Sequence, residues 1–274
     1  MTDYFVLKRA WSNWMQGQGM AERTIKTYAD VVRNFIDAVQ KSPVDVTEED
    51  VLAYVAAHGA NGSGRNTVIQ GLRSFFGWMS DKGHMERNPA TDLKAKKQPQ
   101  RTPRCLTPEQ LKLVLAAADD RDRRRGLALR LLYLSGMRVG SAAKIKPADV
   151  DLEAGLLHVR VAKGNRPYDA PISKPLRPVL RELLELHNPE RGPYLLNAKD
   201  RTIWKWCKEA GLDADIPGVH PHLLRHSFAT HLLRNGADIE EVRLLMNHQS
   251  LAVTQVYLST TRDELRRAAD RLAI

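Results

Sequence analysis

Ile25, Tyr28, Val32, Ile36 and Val39 recur with a 3.6-residue period in ERTIKTYADVVRNFIDAV, which predicts a helix with one apolar stripe. Ile69, Leu72, Phe76 and Met79 predict another, and TEEDVLAYVAAH opens with Thr47 and Asp50 spaced as a capping box. With the segment around Trp11 and Trp14, about four helices fill the first ninety residues. Periodicity then stops. NPATDLKAKKQPQRTPR mixes Pro, Gln and basic residues without an apolar period and reads as an extended linker. The expected division is a helical domain over 1–92, a basic linker over 93–104 and a second domain over 105–274.

The second domain opens with Thr107, Pro108 and Gln110, a cap, first helical position and capping-box partner. A helix over 124–135 ends at Gly136, a residue suited to the left-handed turn after a helix, and that turn delivers Arg138 to a short helix. LLHVRV and PYDAPI predict two short strands joined by AKGNR. Pro167 and Pro171 make the second a poor central strand, so an edge hairpin is expected. Helices return over 174–187, 200–210 and 222–234. Asp238 and Glu241 cap another that runs through Val242 and Leu245, and SLAVTQVYL forms a last one carrying Tyr257. In the tail, Leu265, Ala268, Ala269 and Leu272 have helical spacing. The fold class is mainly α with a small antiparallel β-sheet, α+β in two domains.

Composition adds a partner class. At 43% hydrophobic and 27% charged, the chain of 274 residues is ordinary for globular protein. No apolar run is long enough to span a bilayer and the first residues show no signal-peptide pattern, so a soluble, cytoplasmic protein is expected. Cys105 and Cys207 suggest neither a disulfide framework nor a thiolate metal site. Net charge is +10 and the pI is near 9.7, an excess that favours a polyanion such as nucleic acid. The first hundred residues hold 13 Lys and Arg against 11 Asp and Glu, so most of the excess falls later. Lys94, Lys96, Lys97, Arg101 and Arg104 form an acid-free run at the linker, and with Arg65 and Arg73 they are the candidate DNA contacts.

The densest chemistry lies in HPHLLRHSFATHLL, residues 220–233. Leu224, Phe228 and Leu232 predict a core stripe, with His222, Arg225 and His226 side by side on its flank around small Ala229. Taken alone, such histidines are as well explained by structural hydrogen bonding. A metal on His220, His222 and His226 is a distant reading, because Arg225 sets a fixed cation against it and no Glu occupies a metalloprotease position. Arginine between histidines suits a phosphate. Arg138 after a tight turn, Lys163 at a hairpin tip, His248 at a helix end and Tyr257 are each explicable as surface or packing residues when taken singly.

Together, SGMRVGSAAKI, VAKGNRPYDAPI, HPHLLRHSFATHLL and MNHQSLAVTQVYLS, in that order and spacing, resemble the tyrosine recombinase (phage integrase) family. The first ninety residues resemble its helical core-binding domain, and the absence of a preceding arm-binding module suggests the compact two-domain, Xer-like type. The resemblance places Arg138, Lys163, His222, Arg225, His248 and Tyr257 on the family's catalytic positions, with Tyr257 as nucleophile. Two residues depart from the pattern. Ser141 stands where a glutamate is common, which puts support of Arg138 in doubt, and Asn247 stands where glycine usually precedes the second histidine; Asn tolerates a left-handed turn.

The resemblance implies a site-specific recombinase that cleaves and rejoins double-stranded DNA through a 3′-phosphotyrosyl intermediate, without ATP, metal or other cofactor. It also implies a homo-tetramer on two duplexes joined by a Holliday junction, alone or with a related second recombinase or accessory factors, in the nucleoid. The rivals are a type IB topoisomerase, which uses a similar residue set to relax supercoils, and a non-catalytic DNA-binding protein of the same fold.

Overall fold

The structure is a computed structural model and describes residues 2–58, 62–95, 104–160 and 167–247. The chain divides into two compact units, Met1–Pro99 and Gln100–Ile274.

The first unit is helical: α1 (Thr2–Gly17), α2 (Glu22–Val39), α3 (Glu48–His58) and α4 (Gly62–Asp81). Helix α2 turns Ala29, Val32, Phe35 and Ile36 inward, so the buried stripe is rotated towards Phe35 from the one expected. The reason is aromatic packing. Phe35 meets Tyr54 of α3 and Phe76 of α4 edge to face, at centroid distances of 5.0 and 5.8 Å, geometry that aromatic quadrupoles favour. Trp11 of α1 packs against Phe75 in the same way, at 5.1 Å. At the start of α3, the Thr47 backbone N–H donates to Asp50 at 2.9 Å and the Asp50 N–H to the Thr47 hydroxyl at 3.3 Å, the reciprocal bonding of a capping box. Ala90 and Leu93, in the tract read as linker, are buried against this core. The Ala90 N–H donates to Asn88 Oδ1 at 2.8 Å in the turn that brings them there. Two apolar residues in a basic, Pro-containing run leave no period to read, yet both join the buried core.

The second unit follows in the order α5 (Pro108–Arg121), α6 (Arg123–Ser135), α7 (Val139–Ala142), β1 (Val150–Asp151), β2 (Leu156–Val159), β3 (Tyr168–Pro171), α8 (Leu176–Glu185), α9 (Asp200–Asp213), α10 (Pro221–Arg234) and α11 (Ile239–Leu245). Its core gathers Leu127, Leu131 and Leu132 of α6, Leu180 of α8, Ile203 of α9 and Leu224 of α10. The sheet is antiparallel in the order β1-β2-β3, with Leu157 opposite Ala170 and Val159 opposite Tyr168. It has three strands rather than the two of the expected hairpin. Two-residue β1 is too short to carry an alternation. Strand β3 is an edge, which its terminal Pro171 requires. Thr107 and Gln110 cap α5 reciprocally, as do Asp238 and Glu241 for α11.

Candidate active site

Helix α10 is the site's spine. Pro221 occupies its first turn, where a missing N–H leaves no bond unmade, and the helix buries Leu223, Leu224, Arg225, Ser227, Ala229, Thr230 and His231. Leu224 enters the main core, whereas Phe228 and Leu232 are half-buried in a separate cluster with Val242 and Met246 of the α11 region. The expected stripe is therefore divided between two neighbours.

Leu106, where chain enters this unit, is clamped to the same helix. Its N–H donates to Ser227 Oγ at 2.9 Å, and its carbonyl pairs with His231 Nε2 at 2.9 Å. A carbonyl only accepts, so Nε2 carries the proton, and His231 Nδ1 then accepts from the Tyr133 hydroxyl at 2.9 Å. Ser227 and His231, one turn apart, thus hold both polar groups of a fully buried residue.

Arg225 is only 4% exposed. Its guanidinium donates from Nη1 to the Gly136 carbonyl and from Nη2 to the Met246 carbonyl, the latter at 2.8 Å. Gly136 ends α6 in the left-handed conformation at φ +60°, and Arg138 follows as the N-cap of α7. Met246 ends α11, and Asn247 then turns left-handed at φ +48°, so the turn survives without glycine. One buried cation therefore holds both the turn before Arg138 and the end of α11 next to Asn247. Ser141 is buried, and its backbone N–H donates to the Arg138 carbonyl at 2.9 Å.

The positive charges converge on His222. Its surface is largely open, yet its imidazole is held below the ordinary histidine range, first by the protein atoms that displace water from it and then by the charges of Arg225 and Arg138. His226 is pushed further, to about 4, mainly by burial and then by His222, His220 and Arg225. Tyr168, at the start of β3, shares this field. Burial raises its phenol, while Arg225 and Arg138 pull the other way. In sequence Tyr168 is one more strand residue; only the sheet's fold brings β3 into the field of Arg225. Cys207 is inert by comparison, its thiol raised to about 12 by burial.

The hairpin base that precedes Lys163 is anchored. Asp149 is 3% exposed and accepts from Arg160 Nε at 2.5 Å and from the Lys146 N–H at 2.9 Å. His158 and Asp169 pair directly across β2 and β3 at 2.7 Å. Among the candidate DNA contacts, Arg73, Lys94 and Arg104 are exposed and Arg65 is half-buried. Lys163, His248 and Tyr257, together with Lys96, Lys97 and Arg101, lie outside the described residues. Among the described residues, no three His, Cys, Asp or Glu side chains are grouped to hold a metal, and no helix is long and apolar enough to cross a membrane.

Arginines and a low-pKa histidine gathered at one spot of a two-unit helical chain are the equipment of an enzyme that grips a phosphodiester. The model of the phage integrase family matches residues 104–264, and that of the phage integrase N-terminal SAM-like domain matches residues 7–83. The chain belongs to the phage integrase family, the tyrosine site-specific recombinases. It is 35% identical to tyrosine recombinase XerA of Thermococcus kodakarensis, over 93% of this chain and 90% of that one. It is 30% identical to tyrosine recombinase XerD of Listeria innocua, over 91% and 92%. A crystal structure of XerA recombinase covers 99% of this chain and all of its own, at TM-score 0.55 and 25% identity. A lambda integrase tetramer bound to a Holliday junction shares the fold at TM-score 0.78 and 17% identity, covering 93% of this chain and 76% of that one.

Proposed function

We propose that Tyr257 attacks a DNA phosphodiester, displaces the 5′ oxygen and holds the strand as a 3′-phosphotyrosyl ester until a 5′-hydroxyl from the partner duplex reverses the step. The phosphotyrosyl bond conserves the energy of the broken one, so rejoining needs no nucleotide cofactor. A phenol with an ordinary pKa of about 10 attacks slowly at neutral pH unless a base takes its proton. His222 is that base: desolvation and two neighbouring cations keep it neutral and ready. The phosphorane transition state gathers charge on its non-bridging oxygens. Arg138 and Arg225 stabilise that charge, His248 donates a further hydrogen bond, and Lys163 gives the leaving 5′ oxygen its proton.

The observation that carries this reading is the bond pair from buried Arg225 to the Gly136 and Met246 carbonyls, because it ties this cation to the turn that precedes Arg138 and to the end of α11. The domain reading, 1–92 and 105–274 joined by the basic 93–104 linker, gives a clamp on double-stranded DNA. Arg65, Arg73, Lys94, Lys96, Lys97, Arg101 and Arg104 supply phosphate contacts. Four protomers on two duplexes then exchange strands through a Holliday junction, and the tail beyond Tyr257 docks on a neighbouring protomer. The enzyme works in the cytoplasm, on the nucleoid.

The test uses nicked, randomly fragmented DNA from the protein's own source. The nick lets a short 5′ fragment leave, so cleaved intermediates accumulate. Protein-linked fragments recovered after SDS share one recurring inverted repeat with the native protein and are absent with Tyr257→Phe. Adducts without sequence preference would instead indicate supercoil relaxation, and none at all a non-catalytic binder.

A further inference from the structure

Helix α10 begins with a histidine cap. His220 Nδ1 accepts from the Leu223 N–H at 3.1 Å, so the neutral ring carries its proton on Nε2. The face of that ring lies on the indole of Trp204, the planes within 8° and the centroids 5.7 Å apart. The His220 and His222 rings meet edge to face, with centroids 6.4 Å apart and planes at 66°. Trp204 stands on α9, whose Ile203, Cys207 and Ala210 are buried, but is itself 44% exposed. None of the proposed steps uses either ring, and an exposed tryptophan spread over a capping histidine beside the proposed base is a costly arrangement to keep for capping alone. Serine caps a helix at least as well and exposes no indole.

We infer that Trp204 and His220 are positioning residues for His222: stacked on each other, they fix the plane of its imidazole and keep water from one side of it. The inference rests on the reading of His222 as proton acceptor. Two constraints fix the brace. The cap bond sets the His220 ring in the helix frame, and the flat stack on α9 prevents the ring from turning about its side-chain bonds. The depressed pKa of His222, whose first cause is lost hydration, agrees with a ring that is open on one side and screened on the other. The other groups that face it are Arg225 and His226 on α10, Arg138 at the start of α7 and His220 itself, with Tyr168 of β3 in the same field.

The test compares Trp204→Ala, Trp204→Phe and His220→Ser with the native protein. His222 is followed through its imidazole C–H resonances, assigned with His222→Gln, and single-turnover cleavage of nicked DNA is followed from pH 5 to pH 8. Serine retains the cap and phenylalanine retains an aromatic face, so a merely structural role predicts no change in the His222 titration in either. The inference predicts that the His222 midpoint rises by about half a unit or more in Trp204→Ala and His220→Ser, and stays put in Trp204→Phe. The acid limb of cleavage moves with it, lowering the rate on that limb about threefold. Unmoved midpoints in both Trp204→Ala and His220→Ser overturn the inference. A midpoint that moves while the acid limb stays fixed supports the brace and overturns His222 as the proton acceptor.

Discussion

The Arg225 guanidinium reaches from the middle of α10 to the Met246 carbonyl, 2.8 Å away across 21 residues of sequence, while its other amino group holds the Gly136 carbonyl. At 4% exposure neither carbonyl bond has water as a ready substitute. Lysine keeps the charge but has no planar fork to span two acceptors. Arg225→Lys is therefore expected to lower the thermal midpoint as well as activity, each orphaned carbonyl being worth about 1–3 kcal/mol. Cleavage should fall by about a hundred- to a thousandfold, as for loss of one transition-state donor. Thermal denaturation beside covalent trapping on nicked DNA separates the two effects, and a variant with normal stability and normal trapping would contradict both.

Gly136 is needed twice over. Its φ of +60° disfavours a side chain, and a Cβ there would stand 2.3 Å from the Phe228 ring. Gly136→Ala should destabilise the unit by more than the about 1–2 kcal/mol of left-handed strain alone. Adding Phe228→Ala removes the clash but not the strain. In urea denaturation the double variant should therefore recover part of the loss once the cavity effect of Phe228→Ala alone is subtracted.

Acid should loosen α10. Burial holds His226 at about 4 in the folded chain, below the ordinary value of about 6.5, so protonation favours unfolding. Its contribution is complete above about pH 6.5 and is lost as pH falls towards about 4. His220 and His222 are shifted in the same direction. Thermal midpoints at pH 8, 6 and 4.5 should fall more steeply for the native protein than for His226→Gln, whose side chain does not titrate. Parallel curves would show that His226 has no part in the acid response.

Much of this was legible in the sequence because it is local. Caps at Thr107, Gln110, Asp238 and Glu241, the turn at Gly136 and the extent of α10 depend on residues within four positions of one another, and the structure has each of them. What escaped depends on distant chain. Helical spacing puts Arg225 on a flank; it is buried because α11 and the end of α6 close over it with their carbonyls. Leu93 falls in the expected linker and is buried in the first core. Tyr168 and Trp204 reach the site from β3 and α9, and no periodicity within a strand or helix announces which neighbour its exposed face will meet.

The hairpin base gives the last prediction. Buried Asp149 ties Arg160, at the end of β2, to the Lys146 turn, and Lys163 lies three residues beyond Arg160. Asp149→Asn retains an acceptor but loses the charge that holds the guanidinium, so the base of the hairpin should loosen and, with Lys163 as the proposed proton donor, protonation of the leaving oxygen should slow. A DNA substrate with sulfur in place of the scissile 5′ oxygen tests that route, because a thiolate leaves without a proton. Cleavage of ordinary DNA should be slowed in both Asp149→Asn and Lys163→Ala, and cleavage of the sulfur-bridged substrate should return both to near the native rate. If Lys163→Ala is restored and Asp149→Asn is not, Asp149 acts on the fold of the sheet rather than through the lysine. If neither is restored, Lys163 is not the proton donor.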